Sequence, residues 1–206
     1  MICSVNNNIK RFKKLVFIIL IVLQSCAKEK EIYYLPTQVS ENSFNAVIEI
    51  PAGTNKKYEY DKESKSFIID KKDGKERIID FLPYPGNYGF IPSTYSDPKT
   101  GGDGDALDVL VLSEYVPTGS VLEIKPIAIL KLIDNGEIDY KIIAIPSNVK
   151  QQIINVNNYN DLANRFPEVK TIIELWFLNY NKTDTATIEG WGDDKMALIE
   201  INKSKS

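Results

Sequence analysis

The stretch GGDGDALDVLVL, from Gly101 to Leu112, places Asp103, Asp105 and Asp108 within six residues and then enters an apolar run. Carboxylates this close repel one another unless positive charge lies among them, and oxygen donors are the natural partners of a hard divalent cation. Gly101, Gly102 and Gly104 make the loop permissive, and Asp108 stands where the apolar strand begins. A loop joined to a strand edge can turn all three carboxylates toward one point. Taken alone, the same pattern also describes a solvated acidic turn.

Two other metal motifs do not fit. An EF-hand loop counted from Asp103 would need an oxygen donor at Leu107 and Gly at Asp108, so the pattern fails at its centre. An Asp-x-Asp phosphatase motif follows its strand, whereas here the strand follows the motif. Further charged residues fall on strand positions. Glu49 shares a face with Val47 in VIEIP; Lys57, Glu59 and Asp61 alternate with Tyr58 and Tyr60; Asp139 and Lys141 share a face in DNGEIDYK. One such residue describes a solvated strand face, but several strands together point to a polar site in a barrel, because an unpaired buried charge is costly. Tyr84 and Tyr88 stand in PYPGNYGFIP, a loop stiffened by Pro83, Pro85 and Pro92. Their rings can pack over a barrel end, or their hydroxyls can donate to an anion. With Arg77 and several lysines added, the inventory suits metal ions together with phosphate.

The elements that must position these residues come from periodicity. Strands are predicted over FNAVIEIP, KYEYD, SFIID, RIIDFL, LDVLVL, VLEIKPIAILKLID and IDYKIIAIP, with a hairpin turn at Asp134-Asn135-Gly136. Pro167 opens a helix whose core stripe is Val169, Ile172, Ile173, Trp176, Phe177 and Tyr180. A last helix is predicted from Asp193 or Asp194 through Ile201. Strands followed by helices give an α+β fold, a small β-barrel with flanking helices. The 206 residues contain no histidine, which excludes His-based acid–base chemistry and most zinc sites. With 25 Lys+Arg against 28 Asp+Glu, the charge gives no indication of a nucleic-acid partner.

GDGDALDVLVL resembles the D-x-D-x-x-D motif of the family I soluble inorganic pyrophosphatases. VIEIP, KYE, GKER, YPGNYGFIP, LKLIDNGEIDYKIIAIP, the aromatic helix ending at Tyr180, and EGW follow in family order, so the resemblance covers Val47 to Trp191. It implies a five-stranded OB-like barrel, several Mg2+ ions, and hydrolysis of pyrophosphate to two phosphates by a metal-activated water. By position it makes Asp103, Asp108 and Asp139 the ligands of the tightest metal, with Asp108 bridging to a second. Asp105 takes the proton from the water nucleophile, and Glu59, Asp134 and Asp139 hold the metals that arrive with substrate. Lys57, Arg77, Tyr88, Lys141 and Tyr180 bind phosphate, while Glu49 and Tyr84 support the site. Asn181 stands where the family usually has Lys; either Lys182 supplies that phosphate contact by a one-residue slip, or the phosphate is held less tightly. Arg77 is preferred to Lys71 because KKDGKE reads as a hairpin insertion and Arg suits phosphate. Ala106 replaces a common Pro. The resemblance also implies a homo-oligomer, dimeric or hexameric. The alternative reading is a non-catalytic, cation- or phosphate-binding surface lipoprotein on the same fold.

The first 25 residues read as a targeting segment. Lys10, Arg11, Lys13 and Lys14 precede the apolar LVFIILIVL, and Leu23-Gln24-Ser25-Cys26 resembles a bacterial lipobox. Cleavage before Cys26 would discard those four cations, taking the net charge from −3 to −7. Residues 26–43 are expected as a lipidated Cys26 and tether, and 44–206 as the catalytic domain. The expected location is that of an exported, membrane-anchored lipoprotein facing the periplasm or the cell surface.

Overall fold

The computed structural model describes residues 31–183 and 185–206. The expected signal peptide and Cys26 lie outside the described residues, among which no helix is long and apolar enough to cross a membrane. In chain order the strands are β1 (Gln38–Ser40), β2 (Ser43–Ile50), β3 (Tyr58–Asp61), β4 (Ser66–Ile69), β5 (Lys71–Lys72), β6 (Lys75–Glu76), β7 (Asn87–Phe90), β8 (Asp108–Val111), β9 (Val121–Asp134), β10 (Glu137–Ile138) and β11 (Lys141–Pro146). Helices α1 (Tyr159–Arg165) and α2 (Pro167–Asn179) follow, then β12 (Ala186–Asp193) and α3 (Asp194–Lys203).

Strand pairing runs β2–β7–β8–β11–β9 and closes from β9 back onto β2, a ring of five. Only the β8–β11 pair of that ring is parallel. This is the mixed, sheet-dominated architecture expected of an OB-like barrel. The apolar residues of the ring divide between two faces. Leu110, Leu112, Leu130, Ile143 and Ile145 pack with Ile173, Trp176 and Phe177 of α2. Val109, Val111, Ile142 and Ala144 pack on the other side with Ala197 and Ile201 of α3. At the β2–β7 crossing the backbones come so close that a Cβ on Gly89 would lie 1.9 Å from the Val47 carbonyl oxygen. That position admits glycine alone.

Local chemistry explains the joints. Asn135 (φ 49°) and Gly136 (φ 90°) form the two-residue turn between Asp134 and Glu137, as the Asp-Asn-Gly triplet predicts. Pro167 opens α2, and the Asp193 side chain caps α3 by accepting from Met196 N.

Three predictions need correction, and two elements have no counterpart in the sequence reading. RIIDFL forms no strand: Ile78 makes an isolated bridge to Lys56, and Ile79 N donates to the Asn55 carbonyl. Its backbone bonds go to the irregular 54–57 segment, a pairing that periodicity cannot show. Ile172 is 55% exposed and lies off the α2 stripe, whose buried members are Ile173, Trp176 and Phe177. Helix α1 and strand β12 were not foreseen. The described part of the expected tether is structured: Ile32–Tyr34 is a 3-10 helix and Gln38–Ser40 pairs with β2.

Candidate active site

The acidic loop is tied down before it presents any carboxylate. Gly104 N donates to the Ser96 carbonyl, Ser96 N to the Asp105 carbonyl, and Ile138 N to the Gly101 carbonyl, all within 2.9 Å. Gly102 packs so tightly on Ser96 that a Cβ would sit 2.6 Å from its backbone. One carboxylate oxygen of Asp103 accepts the Asp105 N–H at 3.0 Å. Asp108 then opens β8, in parallel register with Lys141 of β11 and antiparallel to Phe90 of β7. Register alone therefore brings Asp108 and Lys141 side by side.

A cavity of about 280 Å³ gathers the predicted residues. Its acidic lining comprises Glu49, Glu59, Asp103, Asp105, Asp108, Asp134 and Asp139, and its other polar members include Lys57, Lys62, Arg77, Tyr84, Tyr88, Lys141 and Tyr180. Lys182 is the exception. It is exposed and lines a neighbouring hollow that shares Arg77 and Tyr180 with the main cavity. Lys71 does not line the cavity, and residues 71–76 form the hairpin expected of an insertion.

Lys141 organises the centre. Its buried ammonium is bonded to both Asp108 and Asp139 and lies 3.1 Å from the Tyr88 hydroxyl, which itself donates to Asp108 at 2.5 Å. Burial works against that ammonium, but Asp108 and Asp139 outweigh it and raise the lysine above its usual value. Burial and the neighbouring Asp108 push Asp139 up to about 6 in spite of Lys141. Burial, with Asp108 and Asp105 nearby, likewise raises Asp103. Glu49 is pushed up to about 8 by burial, although one oxygen accepts the Tyr60 N–H at 2.7 Å. The β2–β7 register slips between Ile48 and Ile50, and this bulge at Glu49 turns its side chain into the site. Negative charge thus exceeds what one ammonium neutralises.

On the opposite wall, Lys57 is bonded to Glu59 and lies 3.6 Å from Asp70. Arg77 Nη1 donates to Asp70 at 2.6 Å. Sequence reasoning missed Asp70, which neither lines the cavity nor shows a motif. Its signal was its place directly before the KKDGKE insertion that separates it from Arg77. An aromatic stack supports the phenols: Trp176 lies 4.3 Å from Tyr84 and stacks on Tyr180 at 4.7 Å, with its indole N–H bonded to the Leu82 carbonyl. Burial raises Tyr84 and Tyr88 well above the usual value and pushes Tyr180 up to about 12, so all three stay O–H donors near neutrality.

The donor set fits a hard divalent cation. Its acidic members offer carboxylate oxygens throughout, and the Lys141 ammonium already supplies positive charge between Asp108 and Asp139. Among the described residues no three carboxylates already converge as a closed cage.

A family model described as inorganic pyrophosphatase matches residues 46–206. The inorganic pyrophosphatase 1 of Pseudomonas syringae pv. tomato is 39% identical over 169 residues, covering 79% of this chain and 89% of that protein. The inorganic pyrophosphatase of Neisseria meningitidis serogroup B is 35% identical over 173 residues, covering 82% and 90%. The crystal structure of inorganic pyrophosphatase from Thermus thermophilus superposes with a TM-score of 0.72 at 31% identity, covering 84% of this chain and 96% of that one. With its acidic cavity, its closed ring of strands and these likenesses together, the chain belongs to the family I inorganic pyrophosphatases.

Proposed function

We propose that this chain, an inorganic pyrophosphatase that hydrolyses pyrophosphate to two phosphates, does so with several Mg2+ ions held by the cavity's carboxylates. One observation carries this reading: a single cavity collects the acidic residues, the cations and the phenols that the reaction requires. Asp103, Asp108 and Asp139 would hold the tightest ion, with Glu59 and Asp134 holding those that enter with substrate. Bound Mg2+ supplies charge neutralisation and makes water a better nucleophile.

The chain's own residues do the rest. Asp105, with a side chain 74% exposed, extends a carboxylate that can accept the proton of the attacking water. Lys57 and Arg77, both anchored by Asp70, present fixed cations to phosphate oxygens. Lys141 and Tyr88, now engaged by Asp108, can turn toward phosphate once other positive charge reaches that carboxylate. Tyr180 donates from the far wall. Phosphate release from pyrophosphate with and without Mg2+ tests the reading, with ATP and p-nitrophenyl phosphate as controls. A folded chain that binds Mg2+ and leaves pyrophosphate intact overturns it.

The finer expectations belong to the same proposal. Leu23-Gln24-Ser25-Cys26 supports lipidation at Cys26 and a membrane-anchored, exported enzyme. Loss of detergent-phase partitioning in Cys26→Ser would bear this out, and retention would refute it. Ile172, Leu175 and Leu178 stand exposed on α2, an apolar strip that supports a homo-oligomer.

A further inference from the structure

Residues 31–37 precede the stretch that matches the family model, yet they are bound to the catalytic body along their length. Glu31 pairs with Lys65 at 2.8 Å. The Tyr33 carbonyl accepts Ser93 N at 3.0 Å, the Leu35 carbonyl accepts Ser93 Oγ at 2.9 Å, and Thr37 Oγ1 donates to the Pro92 carbonyl at 2.9 Å. This strap carries one side chain into the cavity, that of Tyr33.

The Tyr33 ring stacks on Tyr60 at 6.0 Å and meets Phe90 at 5.2 Å. It packs on the small cluster that includes Ala106, the neighbour of Asp105. Over its face, 4.5 Å from the centroid, lies the Lys62 ammonium. The same ammonium reaches Asp105 at 3.4 Å.

An ion pair between side chains 46% and 74% exposed contributes little and fixes little by itself, because both are free to wander in water. An aromatic face changes that. The ring attracts the cation and restricts where it can stand. Burial works against the Lys62 charge, yet Tyr33 and Asp105 together raise its affinity for the proton. The ammonium is therefore held, charged, at Asp105, the loop carboxylate that extends into solvent, while Asp108 is engaged by Lys141 and Tyr88 and Asp103 accepts a backbone N–H.

We propose that Tyr33 is a positioning residue for pyrophosphate hydrolysis, acting through Lys62 to hold the Asp105 carboxylate in one orientation across the cavity. The proposal rests on the assignment of proton acceptance to Asp105.

The test is a double-mutant cycle on the full chain, read as kcat and KM for pyrophosphate at saturating Mg2+. Hydrolysis by the unaltered chain, and its loss in Asp105→Asn, checks the underlying assignment separately. Tyr33→Leu is expected to lower kcat about two- to fivefold, the scale of one exposed cation–π contact, with KM little changed. Lys62→Met should give a similar loss, and the double variant should be no slower than Lys62→Met alone. Tyr33→Phe, which keeps the aromatic face, should retain most of the activity. Losses that multiply in the double variant, or a Tyr33→Phe as slow as Tyr33→Leu, overturn the proposal. If Tyr33→Leu does not fold, Lys62→Met decides: an unchanged kcat there refutes the role.

Discussion

Asp105 differs from its two loop partners in what restrains it. Asp103 accepts a backbone N–H, and Asp108 carries both Lys141 and Tyr88, whereas Asp105 extends into solvent beside Lys62. A carboxylate left accessible within an acidic cluster is suited to taking protons rather than holding an ion. Asp105→Asn is therefore expected to cost about 10²- to 10⁴-fold in kcat, the scale of a general base, with an unchanged melting temperature because the side chain is mostly in water. Glu49 gives the opposite case. Its folded pKa of about 8 lies above the ordinary glutamate value of 4.5, so its contribution to stability is full below about 4.5 and is lost as pH rises through about 8. Gln cannot ionise and can still accept the Tyr60 N–H. In chelator-treated protein, Glu49→Gln should thus stabilise the fold more at pH 8 than at pH 5, by a margin on the order of a few kcal/mol in unfolding free energy. A margin that does not grow with pH would contradict the buried, proton-holding Glu49.

The wall that carries Lys57 and Arg77 depends on how short elements are stitched together. Asp70 N donates to the Lys57 carbonyl, Lys57 N to the Arg77 carbonyl, and Arg77 N to the Asp70 carbonyl, the last at 2.8 Å. That bond closes the base of the 71–76 hairpin, so the insertion projects from the wall without forming it. Replacing residues 71–76 with Asn-Gly would leave Asp70 and Arg77 flanking a two-residue turn. The shortened enzyme should keep kcat/KM within a few-fold, while Arg77→Ala should lose about 10- to 100-fold, the scale of one charged hydrogen-bonded contact, and Lys71→Ala almost nothing. Just past the end of α2, the Asn181 side-chain oxygen Oδ1 accepts from Thr183 N at 3.1 Å and from Thr183 Oγ1 at 2.8 Å. Asn181→Lys should lower stability by about 1 kcal/mol through that lost turn. Thermal melts would check this.

Legibility followed the range of each interaction. The Asp-Asn-Gly turn, the Asp193 cap and the shared face of Asp139 and Lys141 depend on near neighbours and could be read from the chain. The path of residues 77–82 depends on bonds to residues 54–57, so an apolar run that resembled a strand became an irregular wall. Asp70 reveals itself only when Arg77 folds back onto it. Lys182 was expected at the phosphates, but the turn at Asn181–Thr183 carries it to the neighbouring hollow.

At the scale of the whole molecule, the barrel holds its acidic residues together against their repulsion. Added Mg2+ that binds the folded state alone stabilises it by about 2.7 kcal/mol at a hundredfold excess over Kd. Melting curves should therefore rise by several degrees with millimolar Mg2+ and fall with a chelator. Curves unmoved by either would count against a metal-filled cavity. The strap bears on how this enzyme should be handled at the bench. Family likeness begins at residue 46, but a recombinant form begun there would lack Phe44, which is 1% exposed in the core, as well as the β1 pairing and the aromatic lid at Tyr33. Activity measured on such a fragment would describe a breached cavity. A recombinant form that keeps residue 31 onward retains each of these contacts, and an affinity handle belongs away from the strap.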